Sequence, residues 1–565
     1  MNCVFRISRK TERDAPFALC VFLVSAAALA AQPTIAPDGI FNAASNLYSE
    51  LPNGGIAQGS IFVIYGSNLG PAALAQAPSL PLGTQLAGTS VNVTMGSTTV
   101  SPLMVFTLAD HLAAVLPSTT PAGTGTVTVT YNGQTSAAAP IRVVANAFGI
   151  STLGQTGGGP GVLTDAVTYQ VNTLFASATP GEIMTLWGTG LGAIHGDDAS
   201  GPVETDLHLN VQVYVGNQPA AVSYSGRSSS PGLDQINFAV PAGLSGCYVP
   251  VAAVVNGVVS NFVSMSIAPQ GGICSDPMSL PAPSMAKLAA GGTLNVGSLW
   301  LTRISTDFNI SLLGAVTLVQ DYGDGYFYQY NQATLDAQRS PVALAPFSAC
   351  TVYVCNGFGC IPTALPQPVN RLDGGAALSV TGPKGTKPIA RTNTGEYHNT
   401  TLGGGVAAVL NPAATFLDPG AYTLTGPGGS DIGAFTSNLT IPQPLQLSNK
   451  SQFTNIPRTS DLTVTWTGGG PNDYVAVVGQ STTQSPQVTA TFACSEKASA
   501  GKLTIPAWVL SALPASGTIS QSGFTVPGGF LELGYYPPPT AFSAQGLDLG
   551  FSNDVVLTGT SVTFQ

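Results

Sequence analysis

Apolar residues along this chain come in short runs, broken repeatedly by glycine, proline and asparagine. Residues 59–70, GSIFVIYGSNLG, show the pattern: Ile61, Val63 and Tyr65 alternate with Phe62 and Ile64, so both faces of the segment are apolar. Successive side chains of a strand point to opposite faces, and a run apolar on both predicts a strand held between two layers. Asn-Gly pairs at 132–133 and 256–257 interrupt alternating stretches and predict tight hairpins. Many short strands with such punctuation predict an all-β chain built of sandwiches.

The same twelve-residue pattern returns as GEIMTLWGTGLG at 181–192. Gly39–Gly70 aligns with Gly161–Gly192 over 32 residues without a gap. VNVTMGSTTV (91–100) then matches VQVYVGNQPA (211–220), AAVLP (113–117) matches NFAVP (237–241), and VTVTYNGQTS (127–136) matches VAAVVNGVVS (251–260). The period of 120–124 residues is far longer than the roughly 20–50 of a solenoid repeat, so it marks a duplicated domain. Ile61, Val63, Ile183 and Leu186 are the expected core positions of the two copies.

These motifs carry a resemblance. The repeated Gly-Ser-Ile strand with its exit turn, LDQINFAVPAG (233–243) and NGVVSN (256–261) resemble the paired immunoglobulin-like domains of a family of secreted acidobacterial (Solibacter-type) proteins, whose single domains are similar to IPT/TIG folds. The resemblance covers about residues 36–269 and implies fold and location; it brings no catalytic residues with it. The first copy departs from it at DHLAAVLPSTTPAG (110–123).

The expected organisation is therefore tandem immunoglobulin-like β-sandwiches, the first two an internal duplication. Residues 1–30 read as a signal peptide, with Arg6, Arg9, Lys10 and Arg13 ahead of a short apolar stretch and Ala28-Leu29-Ala30 at the cleavage site. Sandwiches follow at 31–145 and 146–269, then a linker at 270–292. A β-rich domain is expected at 293–440, and a further immunoglobulin-like or fibronectin-like sandwich at 441–565. No stretch after residue 30 has the length of a membrane helix, so the expected location is secreted, extracellular or at the cell surface.

Charge narrows the partners. Without the leader the chain holds 13 Lys and Arg against 25 Asp and Glu, with no basic run. Phosphate contacts need clustered Lys and Arg, so nucleic acid is excluded as a partner. Six cysteines remain, an even number that suits an oxidising compartment. Cys247 and Cys274 flank the last strands of the second repeat and are expected to pair. Cys355 and Cys360 flank Asn-Gly-Phe-Gly, a plausible hairpin loop, and form the second expected bridge; Cys350 and Cys494 are left paired with each other or free.

Catalytic signals are few. Four histidines stand in the whole chain, and GxSxG, HExxH and P-loop motifs are absent from it. His195, Asp197 and Asp198 lie in a polar loop whose mixture of imidazole and carboxylate suits neither calcium nor zinc cleanly, so no metal or other cofactor is expected. QDYGDG (320–325) lacks the spacing of a calcium loop. Period-two geometry places Tyr326, Tyr328 and Tyr330 on one face of a strand, with Phe327 opposite. Aromatic faces and phenol hydroxyls together suit sugar rings, against the plainer reading of tyrosine as a good strand former. Two functions compete. One is a non-enzymatic protein of extracellular adhesion or binding, holding a surface glycan or protein. The alternative is a polysaccharide-active hydrolase with accessory immunoglobulin-like domains and a catalytic region within 275–440, which paired carboxylates there would mark.

Overall fold

In the computed structural model, which describes residues 31–565 apart from 201–204, 278–279, 311–313, 338–347, 358–367, 406–407, 410 and 522–523, the two copies fold into sandwiches of matching topology. Ile61–Ser67 lies between Thr34–Asn42 and His111–Val115; its counterpart Ile183–Thr189 lies between Gly149–Ile150 and Asp234–Ala239. In the facing sheets, Gly123–Tyr131 pairs with Thr89–Met95 and Ala139–Val144, as Gly246–Val255 pairs with Val211–Val215 and Val263–Ile267. Even the side-chain bonding repeats. Ser136 Oγ accepts the Val129 N–H and donates to the Ala137 carbonyl, while Ser260 Oγ accepts the Ala253 N–H and donates to that of Asn261. Both Asn-Gly turns adopt positive φ at both residues, which asparagine and glycine tolerate best.

Of the four expected core positions, Leu186 and Val63 are buried, whereas Ile61 and Ile183 are not. Phe62 and Ile64 in one copy, Met184 and Leu186 in the other, fill the interior between the sheets. Val63 is buried on the opposite face, Ile61 is half-buried, and Ile183 is 40% exposed. Alternation assigns two faces to a strand but not which one meets the second sheet. Ile61 instead packs against the second sandwich: a Cβ added at Gly232 would stand 2.6 Å from its Cγ1.

The two sandwiches are joined by polar contacts at that seam. The Ile61 N–H donates to Thr189 Oγ1, and Arg227 donates to the carbonyls of Gly59 and Gly192. Arg227 also lies 3.0 Å from Asp234, and both side chains are almost wholly buried. The Asp234 carboxylate accepts the N–H groups of Gly190 and Leu191.

The rest of the chain corrects the expected division at residue 441. Leu294–Ile310 and Gly314–Tyr330 form a long hairpin, and the final strand Leu549–Phe564 runs parallel to the first of these from Val296↔Leu549 to Asp307↔Thr560. Gly529–Tyr536, Tyr474–Thr482, Val488–Lys497 and Ala349–Asn356 continue the sheet. One sheet of eleven described strands thus draws on both expected domains. Two small sheets cover its inner face side by side. One contains Ala377–Gly382 and Gly420–Gly426, the other Leu462–Thr467 and Lys502–Ile505. The last strand serves both cores, with Val556 in one and Val562 and Phe564 in the other.

Glycines inside these strands make room for rings. A Cβ at Gly479 would lie 2.1 Å from Phe492, and one at Gly382 equally close to Tyr422. The expected linker at 270–292 is also corrected. It contains the helix Ala282–Ala289, whose Met285 and Leu288 pack with Cys247, Cys274, Leu174 and Tyr330. Apolar residues three apart fall on one face of a helix, so this segment docks rather than spans.

Candidate functional site

The outer face of the shared sheet carries the aromatic row. Residues directly opposite in an antiparallel pair share a face. Trp300 stands opposite Asp324, Thr302 opposite Tyr322 and Ser298 opposite Tyr326, so the hairpin displays Trp300, Tyr322, Asp324, Tyr326 and Tyr328 together. All five are half-buried. The rings of Tyr326 and Tyr328 are 5.8 Å apart, and Trp300 Nε1–H donates to Ser298 Oγ at 2.6 Å. Phe327 points the other way, into the core beside Tyr397 and Phe435.

Polar groups frame the row. Tyr328 donates its hydroxyl to Glu396 Oε1, which also accepts from Arg371 Nε at 2.9 Å. Arg371 reaches that point because Asn370–Arg371 pairs with the hairpin at Tyr328. Burial first, and the nearby Glu396 carboxylate second, push the Tyr328 hydroxyl far above its ordinary range; Tyr326 is raised by burial and by Asp324. Both phenols are neutral donors throughout the physiological range. The site therefore offers apolar ring faces with neutral hydroxyls and carboxylates at the margin.

Tyr330 is corrected. It is buried at the end of the hairpin among Leu294, Met285, Leu288 and the Cys247–Cys274 bridge. Period two puts it on the correct face, yet the docked helix covers that end. Sequence reasoning also missed Trp300, Tyr322, Glu396 and Arg371. The first two were within reach of a hairpin register read through the alternating positions of 294–310 and 314–330; the other two arrive from distant segments without a local signal.

Of the remaining candidates, the two aspartates have structural partners. Asp198 accepts the Ser118 N–H and hydroxyl across the seam between the sandwiches, each at 2.7 Å. Asp197 caps its own loop at Ala199 and Ser200, and His195 is exposed. Among the described residues no cluster of three or more metal-ligating side chains is present. Asp321 points inward, opposite in sense to Asp324, and binds Arg303 Nε at 2.7 Å, so QDYGDG splits its acids between two faces. Asp307 pairs with Lys450, Asp373 with Arg391, and Asp418 with Arg303 and Lys384.

Cys247 and Cys274 are bonded, with Cα atoms 5.5 Å apart. Cys350 and Cys494 are also bonded, directly opposite each other on neighbouring strands of the shared sheet. Cys355 is disulfide-bonded as well, whereas Cys360 lies outside the described residues, as do residues 1–30, where the signal peptide is expected.

No protein-family model matches this chain, and no curated protein sequence matches it. Among solved structures, domains 5–6 of the S-layer protein SbsC are 12% identical, covering 42% of this chain and 98% of that one, with a TM-score of 0.15. The Bacteroides ovatus glucan-utilization protein SGBP-B, solved with a mixed-linkage heptasaccharide, is 10% identical over 86% of this chain and 92% of its own, with a TM-score of 0.13. Immunoglobulin domains 1–4 of Sidekick-1 are 10% identical over 90% and 95%, with a TM-score of 0.12. At these TM-scores the strand topology described above, and not the likenesses, carries the fold.

Proposed function

We propose that the protein is a non-enzymatic extracellular binding scaffold whose shared-sheet aromatic face holds a surface glycan. The observation that carries this reading is the assembly of Trp300, Tyr322, Tyr326 and Tyr328 on one face of one hairpin, with Asp324 and Glu396 beside them. A sugar ring presents an apolar face to an aromatic ring and hydroxyls to its margin, which is the arrangement of groups found here. The Cys247–Cys274 and Cys350–Cys494 bridges support an oxidising compartment, and the basic-apolar stretch at residues 1–30 supports export. Asp307, Asp321, Asp373, Asp418 and Asp431 bind arginines, lysines or a backbone N–H, which supports binding over hydrolysis. A glycan-array screen of the purified mature chain tests the proposal. Selective retention of an oligosaccharide that is recovered uncleaved is the expected result. Recovery of shortened product would move the reading to a hydrolase, and failure to retain any glycan would leave a protein partner for this face.

A further inference from the structure

The first sandwich carries a second aromatic array, unrelated to the one above. Across the outer face of its sheet, Thr34–Asn42, Ile61–Ser67, His111–Val115 and Leu103–Thr107 are consecutive neighbours. Each contributes one ring to a line: Phe41, Tyr65, His111 and Phe106, with Tyr48 extending it past Phe41. Successive centroids are 5.5, 6.0, 5.8 and 5.4 Å apart, from Tyr48 to Phe106. Tyr65 is 42% exposed and stacks on His111, its cross-strand partner, with 22° between the planes. The ribbon crosses four strands, about 15 Å at the usual strand spacing.

Charge gives this ribbon its character. Residues 31–145 contain three acids, Asp38, Glu50 and Asp110, and one basic residue, Arg142. All three acids stand at the ribbon. Asp110 Oδ1 is 2.8 Å from His111 Nδ1, with its side chain largely exposed. Asp38 and Glu50 both act on the Tyr48 hydroxyl, which burial chiefly and these two carboxylates in addition push upward. Glu50 Oε2 is buried without a hydrogen-bond partner among the described residues. Arg142 donates its Nη2 to the carbonyls of Leu51, Pro52 and Gly54 and feels the Glu50 carboxylate, so it offsets one of the three acids and leaves the face negative. In the second copy the residues aligned with Tyr65, His111 and Asp110 are Trp187, Gln235 and Asp234, and Asp234 is buried against Arg227. The same acid position is inward in one repeat and outward in the other.

We propose that this ribbon is the docking surface for a protein partner presenting lysine or arginine side chains on an extended segment. Cations are attracted to aromatic faces, and the flanking carboxylates add a field of the matching sign. Alternate side chains of an extended strand recur at about 6.6–6.8 Å, close to the spacing of these rings, so one segment laid along the ribbon sets successive cations over successive rings.

The test uses the mature chain and a labelled eight-residue peptide alternating arginine and serine, followed by fluorescence anisotropy, with cellohexaose as the neutral competitor. Tyr65→Ala should weaken peptide binding about tenfold, and Tyr65→Phe should retain it. Asp110→Asn should weaken it severalfold and flatten the salt dependence, while Tyr169→Ala, which alters an exposed tyrosine of the second sandwich, should leave it unchanged. Melting temperatures of all four variants should match that of the parent chain, since the altered groups are at the surface. Equal peptide affinity in Tyr65→Ala and the parent would overturn the proposal, because net charge alone would then explain the binding. Loss of cellohexaose binding in Tyr65→Ala, with the peptide unaffected, would overturn it in favour of a neutral glycan.

Discussion

Trp508 lies flat on Tyr214, with ring centroids 4.3 Å apart and planes 10° from parallel. Its other side meets Phe262 at 5.6 Å, so an indole from the C-terminal segment is held between two rings of the second sandwich. The cluster around it continues through Ala252 and Val254 of that sandwich and Leu47 and Leu51 of the first. The duplicated pair is thus fastened to the shared-sheet body by an apolar core, not by a flexible tether. Such an interface limits relative domain motion.

Trp508 is half-buried, so Trp508→Ala should cost about 2–3 kcal/mol, less than removal of a fully buried tryptophan. The loss should appear as early melting of the junction, seen as new proteolytic cleavage between residues 260 and 295. A double-mutant cycle with Tyr214→Ala should return a coupling of about 0.5–1.5 kcal/mol.

Arg227 is the second fastening. It neutralises Asp234 and bonds two carbonyls, one from each sandwich. Arg227→Met leaves a buried carboxylate without its counter-charge and should destabilise by about 3–5 kcal/mol. Adding Asp234→Asn should recover part of that loss in chemical denaturation. Full destabilisation in the double variant would place the cost in the carbonyl bonds instead.

Asp554 sits on the last strand, 7% exposed, and its Oδ2 has no hydrogen-bond partner among the described residues. Burial, with the nearby Asp473 carboxylate as a lesser cause, pushes its carboxyl up to about 7. An unfolded aspartate titrates near 3.9, so the folded state holds this proton more tightly than the unfolded chain does. Stability is then greatest at low pH and declines as pH rises from about 4 through 7. Asp554→Asn should remove most of the decline between pH 4 and 7 in melting experiments. Asp234, raised by burial to about 6 against the pull of Arg227, should contribute a smaller decline, confined to about pH 4 to 6.

On the shared-sheet face, Tyr328→Ala should weaken glycan binding about tenfold, and Tyr328→Phe should preserve most of it. The phenylalanine variant keeps the ring and leaves Arg371 on Glu396. Titration calorimetry with the oligosaccharide selected on the array measures both. Equal losses in the two variants would assign the role to the hydroxyl and not the ring.

Local pattern determined much of this protein. The repeat, the strands at 61–67 and 183–189, both Asn-Gly turns and the inward Phe327 all follow from residues close in sequence, because period two and turn chemistry act over a few positions. The tertiary structure alone decided how the second half is assembled. Leu549–Phe564 joins Leu294–Ile310, some 250 residues earlier, and no local rule selects a parallel partner at that distance. It also decided which apolar positions face a core. Ile183 and Tyr330 carry similar local signals to their neighbours, yet one remains 40% exposed and the other is buried beneath the helix Ala282–Ala289. Burial depends on what packs above a face, and that is settled by the whole chain closing over its cores.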